Sequence, residues 1–133
     1  MQASVEVRYG EIWLYDPPGS TTSENAAAIG SSGSEQSGLR PHIIVSRDIV
    51  NKGKPTAVGV PLTTKIEKAN SYRVALPVGE LIATDTYSFQ NSVALCDHVR
   101  VIDVNRLRRK IGKASGTALL SVGLGLAYVF DIR

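Results

Sequence analysis

Few of the 133 residues combine a reactive side chain with a local context that could put it to use. An ordinary histidine titrates near neutral pH, so His42 and His98 could in principle move protons. Glu35 and Asp97 are carboxylates able to accept one. Arg40 offers a rigid guanidinium fork that stays charged and can hold a developing negative charge. Thr63 adds a neutral hydroxyl donor. The single cysteine, Cys96, cannot form an internal disulfide and reads as a small buried side chain. No Cys/His cluster has zinc spacing, so neither a metal nor a cofactor is expected. Arg100, Arg106, Arg108, Arg109, Lys110 and Lys113 crowd one stretch whose only acid is Asp103. Such a block could meet a phosphate backbone or an acidic partner, or be a solvated helix face.

These residues must be positioned by short elements. Gly10–Tyr15 is apolar and aromatic like a strand, and Asp16-Pro17-Pro18 stops it. From Gly19 to Gly38 there is almost no large apolar side chain, so a mobile, functional loop is expected, with an insertion at about 19–32. Strand signals return at His42–Ser46, Thr56–Leu62, Tyr72–Leu76, Glu80–Thr84 and Ser92–Ile102, a spacing that predicts a small bent barrel or sandwich. The spacing of Val104, Leu107 and Ile111 predicts a short helix over Val104–Ile111, capped by Asp103 and ended by Gly112. A second helix, capped by Ser115 or Thr117, is expected to run to about Phe130, nearly apolar all round and so buried in the core or at a subunit interface. The whole reads as one domain, 1–133, mainly β with C-terminal helices. Thr117–Phe130, the longest apolar run, is shorter than the roughly 20 residues of a membrane span. The N-terminus has no basic start and no apolar stretch, so a cytoplasmic protein is expected.

Four segments, in order and spacing, resemble the MazF/PemK toxins: Gly10-Glu11-Ile12-Trp13-Leu14, Gly33-Ser34-Glu35-Gln36-Ser37-Gly38-Leu39-Arg40-Pro41, Val60-Pro61-Leu62-Thr63, and Cys96-Asp97-His98-Val99-Arg100-Val101-Ile102-Asp103. Arg106-Leu107 and Lys110-Ile111-Gly112 continue the likeness, which runs from about Tyr9 to Tyr128. The resemblance implies an SH3-like β-barrel acting as a homodimer. It also implies sequence-selective, metal-independent cleavage of single-stranded RNA by attack of a 2′-OH on the adjacent phosphate, and inhibition by a cognate antitoxin with an acidic, partly disordered segment.

The same resemblance distributes roles. Arg40 falls on the family's catalytic arginine and Thr63 on its active-site threonine. Glu35 corresponds to an acid with a catalytic role in some relatives, and Gln36 and Ser34 to RNA-contacting or loop-ordering positions. Asp97 stands where PemK-like members place a general base, but Leu95 replaces the arginine that some of them carry two residues earlier. His98 stands where many relatives have glutamine, which leaves it as a proton shuttle or as a polar groove residue. His42 replaces a usually apolar residue and reads as structural. Tyr87 and Phe89 are candidates for RNA or interface contacts, and Trp13 for the core. Fifteen residues lie between Pro17 and Gly33, against about two in relatives, a lengthening expected to leave the barrel undisturbed. Two other readings stay open: a gyrase-poisoning toxin of the CcdB type, and a non-catalytic RNA-binding domain of the same fold.

Overall fold

The computed structural model describes residues 5–19, 38–84 and 86–133. The expected insert, apart from Gly19, lies outside the described residues, as do Ser34, Glu35 and Gln36.

Eight strands form one antiparallel sheet. They are β1 (Glu11–Tyr15), β2 (Arg40–Ile44), β3 (Thr56–Thr63), β4 (Arg73–Leu76), β5 (Leu81–Ala83), β6 (Ser92–Leu95), β7 (Arg100–Asp103) and β8 (Leu107–Ala114). A single helical turn, α1 (Asp48–Asn51), joins β2 to β3. The sheet order is β4-β6-β3-β2-β1-β8-β5, with β7 also on β3. The long strand β3 carries the curl. Its first half, Thr56–Gly59, pairs with β7, and its last residues, Leu62 and Thr63, pair with β6. Between those partners the chain makes a 3-10 turn, Cys96–His98, so the expected Ser92–Ile102 segment is two strands and not one.

Alternation along the strands separates two apolar clusters. Ile12, Ile43, Val60, Leu62, Ala94 and Ile111 form one, closed by Ala118 and Val122 of the C-terminal helix. Tyr15, Ile44, Ala57, Ile102, Val104 and Leu107 form the other, with Trp13 packed against it. Neighbouring residues such as Ile43 and Ile44 fall in different clusters because side chains alternate across a strand.

The expected helix over Val104–Ile111 is overturned. Val104–Arg106 is a 3-10 turn, in which Asp103 accepts from the Asn105 N–H at 2.9 Å, and Leu107–Ala114 is strand β8. Register shifts where β8 meets β1, between Ile12 and Trp13 and between Leu14 and Tyr15, interrupt simple alternation. Burial then falls on Val104, Leu107 and Ile111, which mimics helical spacing. Pairing on both sides, to β1 and β5, supplies the ladder that outweighs local propensity. Gly112 lies inside the strand, where a Cβ would collide with the Ile82 carbonyl and approach Phe89 to 2.8 Å.

The second expected helix is present as α2, Gly116–Phe130. Ser115 caps it, accepting from the Ala118 N–H at 3.0 Å. Asp131, at φ 55°, turns the chain left-handed, and the Ile132 N–H closes the end on the Ala127 carbonyl at 2.8 Å. Gly125 lets α2 come close: a Cβ there would lie 2.7 Å from Cys96 Sγ and 3.1 Å from Val74 Cγ1. No helix among the described residues is long and apolar enough to cross a membrane.

Candidate active site

Residues directly opposite in an antiparallel pair share a face of the sheet, so the register decides which side chains meet. Arg40 stands opposite Tyr15 of β1. On the other side of β2, His42 pairs with Pro61, and the same register continued by two residues brings Arg40 opposite Thr63. Thr63 in turn stands opposite Val93 of β6. One row thus runs Tyr15, Arg40, Thr63, Val93 across four strands. His42 lies one row in on the same face, between Trp13 and Pro61. Beyond it, Arg100 of β7 stands opposite Gly59. Arg100 reaches back over the row, its guanidinium carbon 6.0 Å from the Tyr15 ring centre.

The fold therefore brings Arg40 and Thr63, twenty-three residues apart in the chain, onto adjacent strands, with Arg100 on the same face. Arg40 is partly exposed. Thr63 Oγ1 accepts from the Lys65 N–H at 3.2 Å, which leaves its own proton for another acceptor.

Asp97 is held differently from what its type alone implies. Arg73 Nε and Nη2 donate to its two oxygens at 3.0 and 2.7 Å, a bidentate fork. That fork keeps the Asp97 carboxyl below the usual carboxylate range, against a smaller opposing effect of desolvation. Arg73 was not among the residues expected at the site. It stands opposite Leu95, so the neighbouring strand provides an arginine where position 95 has none. No local pattern announces it, because only the β4–β6 register joins the two. Arg73 also lies 6.0 Å from the Tyr72 ring, which stacks on Tyr128 of α2 with centres 5.7 Å apart. His98 is half exposed, with Nε2 3.8 Å from Asp97 Oδ2.

The remaining candidates fall elsewhere. His42 is fully buried, its pKa lowered to about 4, chiefly by desolvation and further by the charges of Arg100 and Arg40. Burial pushes the Cys96 thiol up to about 11, and Sγ donates to the Val122 carbonyl at 3.7 Å, which makes it a packing residue. Tyr87 and Phe89 meet edge to face at 4.9 Å and pack half-buried against the first cluster. Burial raises the Tyr87 pKa, with the charge of Arg109 opposing.

Much of the basic stretch is committed to β1. Arg106 donates through Nε to the Asp16 carbonyl and through Nη2 to that of Pro17, the latter at 3.1 Å. Arg108 pairs with the Asp16 carboxylate and Lys110 with Glu11, each at 3.0 Å. Of that stretch, Arg100 reaches the Arg40 row from β7, and Lys110, opposite Trp13, lies on the same face but is held by Glu11.

The face combines two arginines with a hydroxyl donor, and the turn between β6 and β7 carries a forked carboxylate and a half-exposed imidazole. Such a set can bind a phosphodiester, stabilise added charge on phosphorus and move protons. A family model described as PemK-like, MazF-like toxin of type II toxin-antitoxin system matches residues 8–130. The endoribonuclease EndoA of Bacillus subtilis (strain 168) is 40% identical over 80 residues, which cover 59% of this chain and 65% of that protein. The match thus spans a little under two-thirds of that relative's length. Among solved structures, an endoribonuclease in complex with its cognate antitoxin from a mycobacterial species gives a TM-score of 0.67 at 16% identity, over 96% of this chain and 97% of that one. A MazE-MazF crystal structure (Form-II) from Deinococcus radiodurans gives 0.66 at 21% identity, over 97% and 99%. At such identities the structural likeness speaks for the fold alone.

Proposed function

The chain belongs to the PemK-like, MazF-like toxins of type II toxin–antitoxin systems, and on that premise we propose that it is an endoribonuclease that cuts single-stranded RNA without a metal. The observation that supports this reading is the pairing register of β2 with β3, which, continued by two residues from His42 and Pro61, sets Arg40 beside Thr63, with Arg100 on the same face.

In the proposed reaction the 2′-OH attacks the adjacent phosphorus, the bond to the 5′-oxygen breaks, and a cyclic phosphate remains. Arg40 donates its fork to the non-bridging oxygens as charge accumulates, and the Thr63 hydroxyl donates alongside. Asp97 is poorly suited as the base, since its oxygens already accept the Arg73 fork. We assign the 2′-OH proton to Glu35, from the Gly33–Gly38 block that leads into β2. The half-exposed His98 then returns a proton to the leaving 5′-oxygen. Gln36 and Ser34 from the same block contact the RNA. Tyr87 and Phe89, with Arg109 near Tyr87, form a flanking RNA contact.

The same cationic face would receive an acidic, partly disordered segment of the antitoxin. The outer side of α2 carries Leu120, Leu124, Tyr128 and Phe130, each more than half exposed, while Ala118, Val122 and Gly125 face the core. An apolar stripe of this kind is the surface we assign to a second copy of the chain in a cytoplasmic homodimer.

The test is cleavage of a long unstructured RNA in excess EDTA, with and without a single 2′-deoxy substitution at the scissile nucleotide. Cleavage should persist in EDTA, leave a 5′-hydroxyl and a cyclic or 3′-phosphate, and stop at the deoxy site. A requirement for magnesium, or cutting at the deoxy site, would sink the mechanism.

A further inference from the structure

His42 takes no direct part in the reaction above, and its surroundings are unusual for a histidine. The ring is fully buried, yet Nε2 has no hydrogen-bond partner. Its other nitrogen, Nδ1, lies 3.1 Å from the backbone carbonyl of Arg40, two residues earlier in the strand. Tyr15 of β1 meets the ring edge-on at 5.0 Å. On the β3 side the ring packs over Gly59, with Cδ2 3.5 Å from where a Cβ would sit. Among the described residues, the charged groups that act on it are Arg40 on its own strand and Arg100 on β7, and Tyr15 on β1 is a further titratable neighbour. No carboxylate is among them to favour an imidazolium.

We propose that His42 is a positioning residue for Arg40: in its Nδ1–H tautomer it donates to the Arg40 carbonyl and fixes the strand end from which the guanidinium reaches the phosphate. This rests on the ribonuclease reading. A carbonyl only accepts, so Nδ1 must carry the proton. A ring kept neutral by burial between two arginines has one N–H, which accounts for the bare Nε2. Arg40 is the first residue of β2, opposite Tyr15 of β1, so its carbonyl stands at the very start of that strand. The ring holds that carbonyl from two residues further along the same strand.

The ¹⁵N resonances of the imidazole in the RNA-free protein should show a protonated Nδ1 and a bare Nε2; the reverse assignment overturns the proposal. Two variants then separate positioning from packing. In His42→Asn the side-chain N–H can occupy the place of Nδ1–H, whereas in His42→Gln it is carried too far out. Misplacing a catalytic group by about 1 Å lowers rates on the order of 10²-fold, so His42→Gln should lose that much in single-turnover cleavage. Its affinity for a 2′-deoxy RNA should stay within about threefold, because a loss confined to the transition state leaves ground-state binding intact. His42→Asn should recover most of the rate. Equal rates in the two variants, or a loss seen only in affinity, overturn the assignment, and if neither variant folds the tautomer decides. Wild-type protein that cuts no RNA overturns the ribonuclease reading first, whereas wild-type cleavage with undiminished His42→Gln overturns only the role of His42.

Discussion

Arginine and lysine at position 40 would bring the same charge to the RNA but not the same geometry. If Arg40 served only to attract the backbone, Arg40→Lys would keep most of the activity. Stabilising five-coordinate phosphorus requires the planar fork, so Arg40→Lys should lie nearer to Arg40→Ala than to wild type. Removing one such donor lowers rates by roughly 10²–10³, about 3–4 kcal/mol, and Arg40→Ala should fall at least that far in single-turnover cleavage. Thr63→Ala should be milder, since a neutral hydroxyl donates more weakly than a charged group. Near-normal turnover in Arg40→Ala would remove this face of the sheet as the active site. Arg73 offers an independent check. In Arg73→Ala the Asp97 carboxyl loses the fork that holds its pKa down, and the shift should reverse upward in a carboxyl-detected NMR titration.

The elements hold the face in place through close backbone approach as much as through side-chain burial. Gly125 is where α2 meets Cys96 and Val74, and neither neighbour is the free end of a long chain. Gly125→Ala should lower stability by roughly 1–3 kcal/mol in denaturant melts, the usual range for overpacking. The helix-propensity gain of alanine over glycine, about 1 kcal/mol, opposes this and sets the lower end. An unchanged or raised midpoint would mean that α2 rides further from β4 than the contacts indicate. Strand β8 works in the same way at Gly112, under the Ile82 carbonyl and Phe89, and its ion pairs to Asp16 and Glu11 fasten β1 from the side.

At the scale of the whole molecule, charge and exposure set two expectations. His42 has its folded pKa lowered to about 4 from an ordinary 6.5. Between those values the unfolded chain takes up a proton that the native chain refuses. Stability from this group is therefore complete above about pH 6.5 and falls as the pH drops toward 4, in total by roughly 3 kcal/mol. His42→Asn should flatten the pH dependence of the melting midpoint over that window, and an unchanged slope would show that the buried ring is not its source. The second expectation concerns α2. If Leu120, Leu124, Tyr128 and Phe130 cover a second copy, Leu124→Glu should turn a dimer into a folded monomer in sedimentation velocity. A wild-type monomer at working concentration, or a Leu124→Glu dimer, would place the interface elsewhere.

Local chemistry made several elements legible without coordinates. The aromatic run ending in Asp-Pro-Pro marks β1, the alternating apolar segments mark β2 and β3, and Ser115 before a long apolar run marks α2 and its cap. Arg40 and Thr63 were legible as candidates because their motifs are local, and His42 read as structural and Cys96 as a small buried side chain, as the fold has them. What depended on distant pairing was not legible. Val104–Ile111 has helical spacing, but register shifts produce the same spacing in a strand that two neighbours complete on both edges. Arg73 sits twenty-four residues from Asp97 and announces nothing until β4 and β6 align. The basic stretch reads as one block, yet tertiary contacts send Arg106 and Arg108 to Asp16 and Pro17 just after β1, Lys110 to Glu11 of β1, and Arg100 to the face of Arg40. The sequence by itself determined the family, most strands and the last helix, and put Arg40 forward as a candidate, because each rests on residues close in the chain. The tertiary structure alone decided which arginines share a face and which carboxylate is already occupied, because those follow from the register between strands, and no short segment contains it.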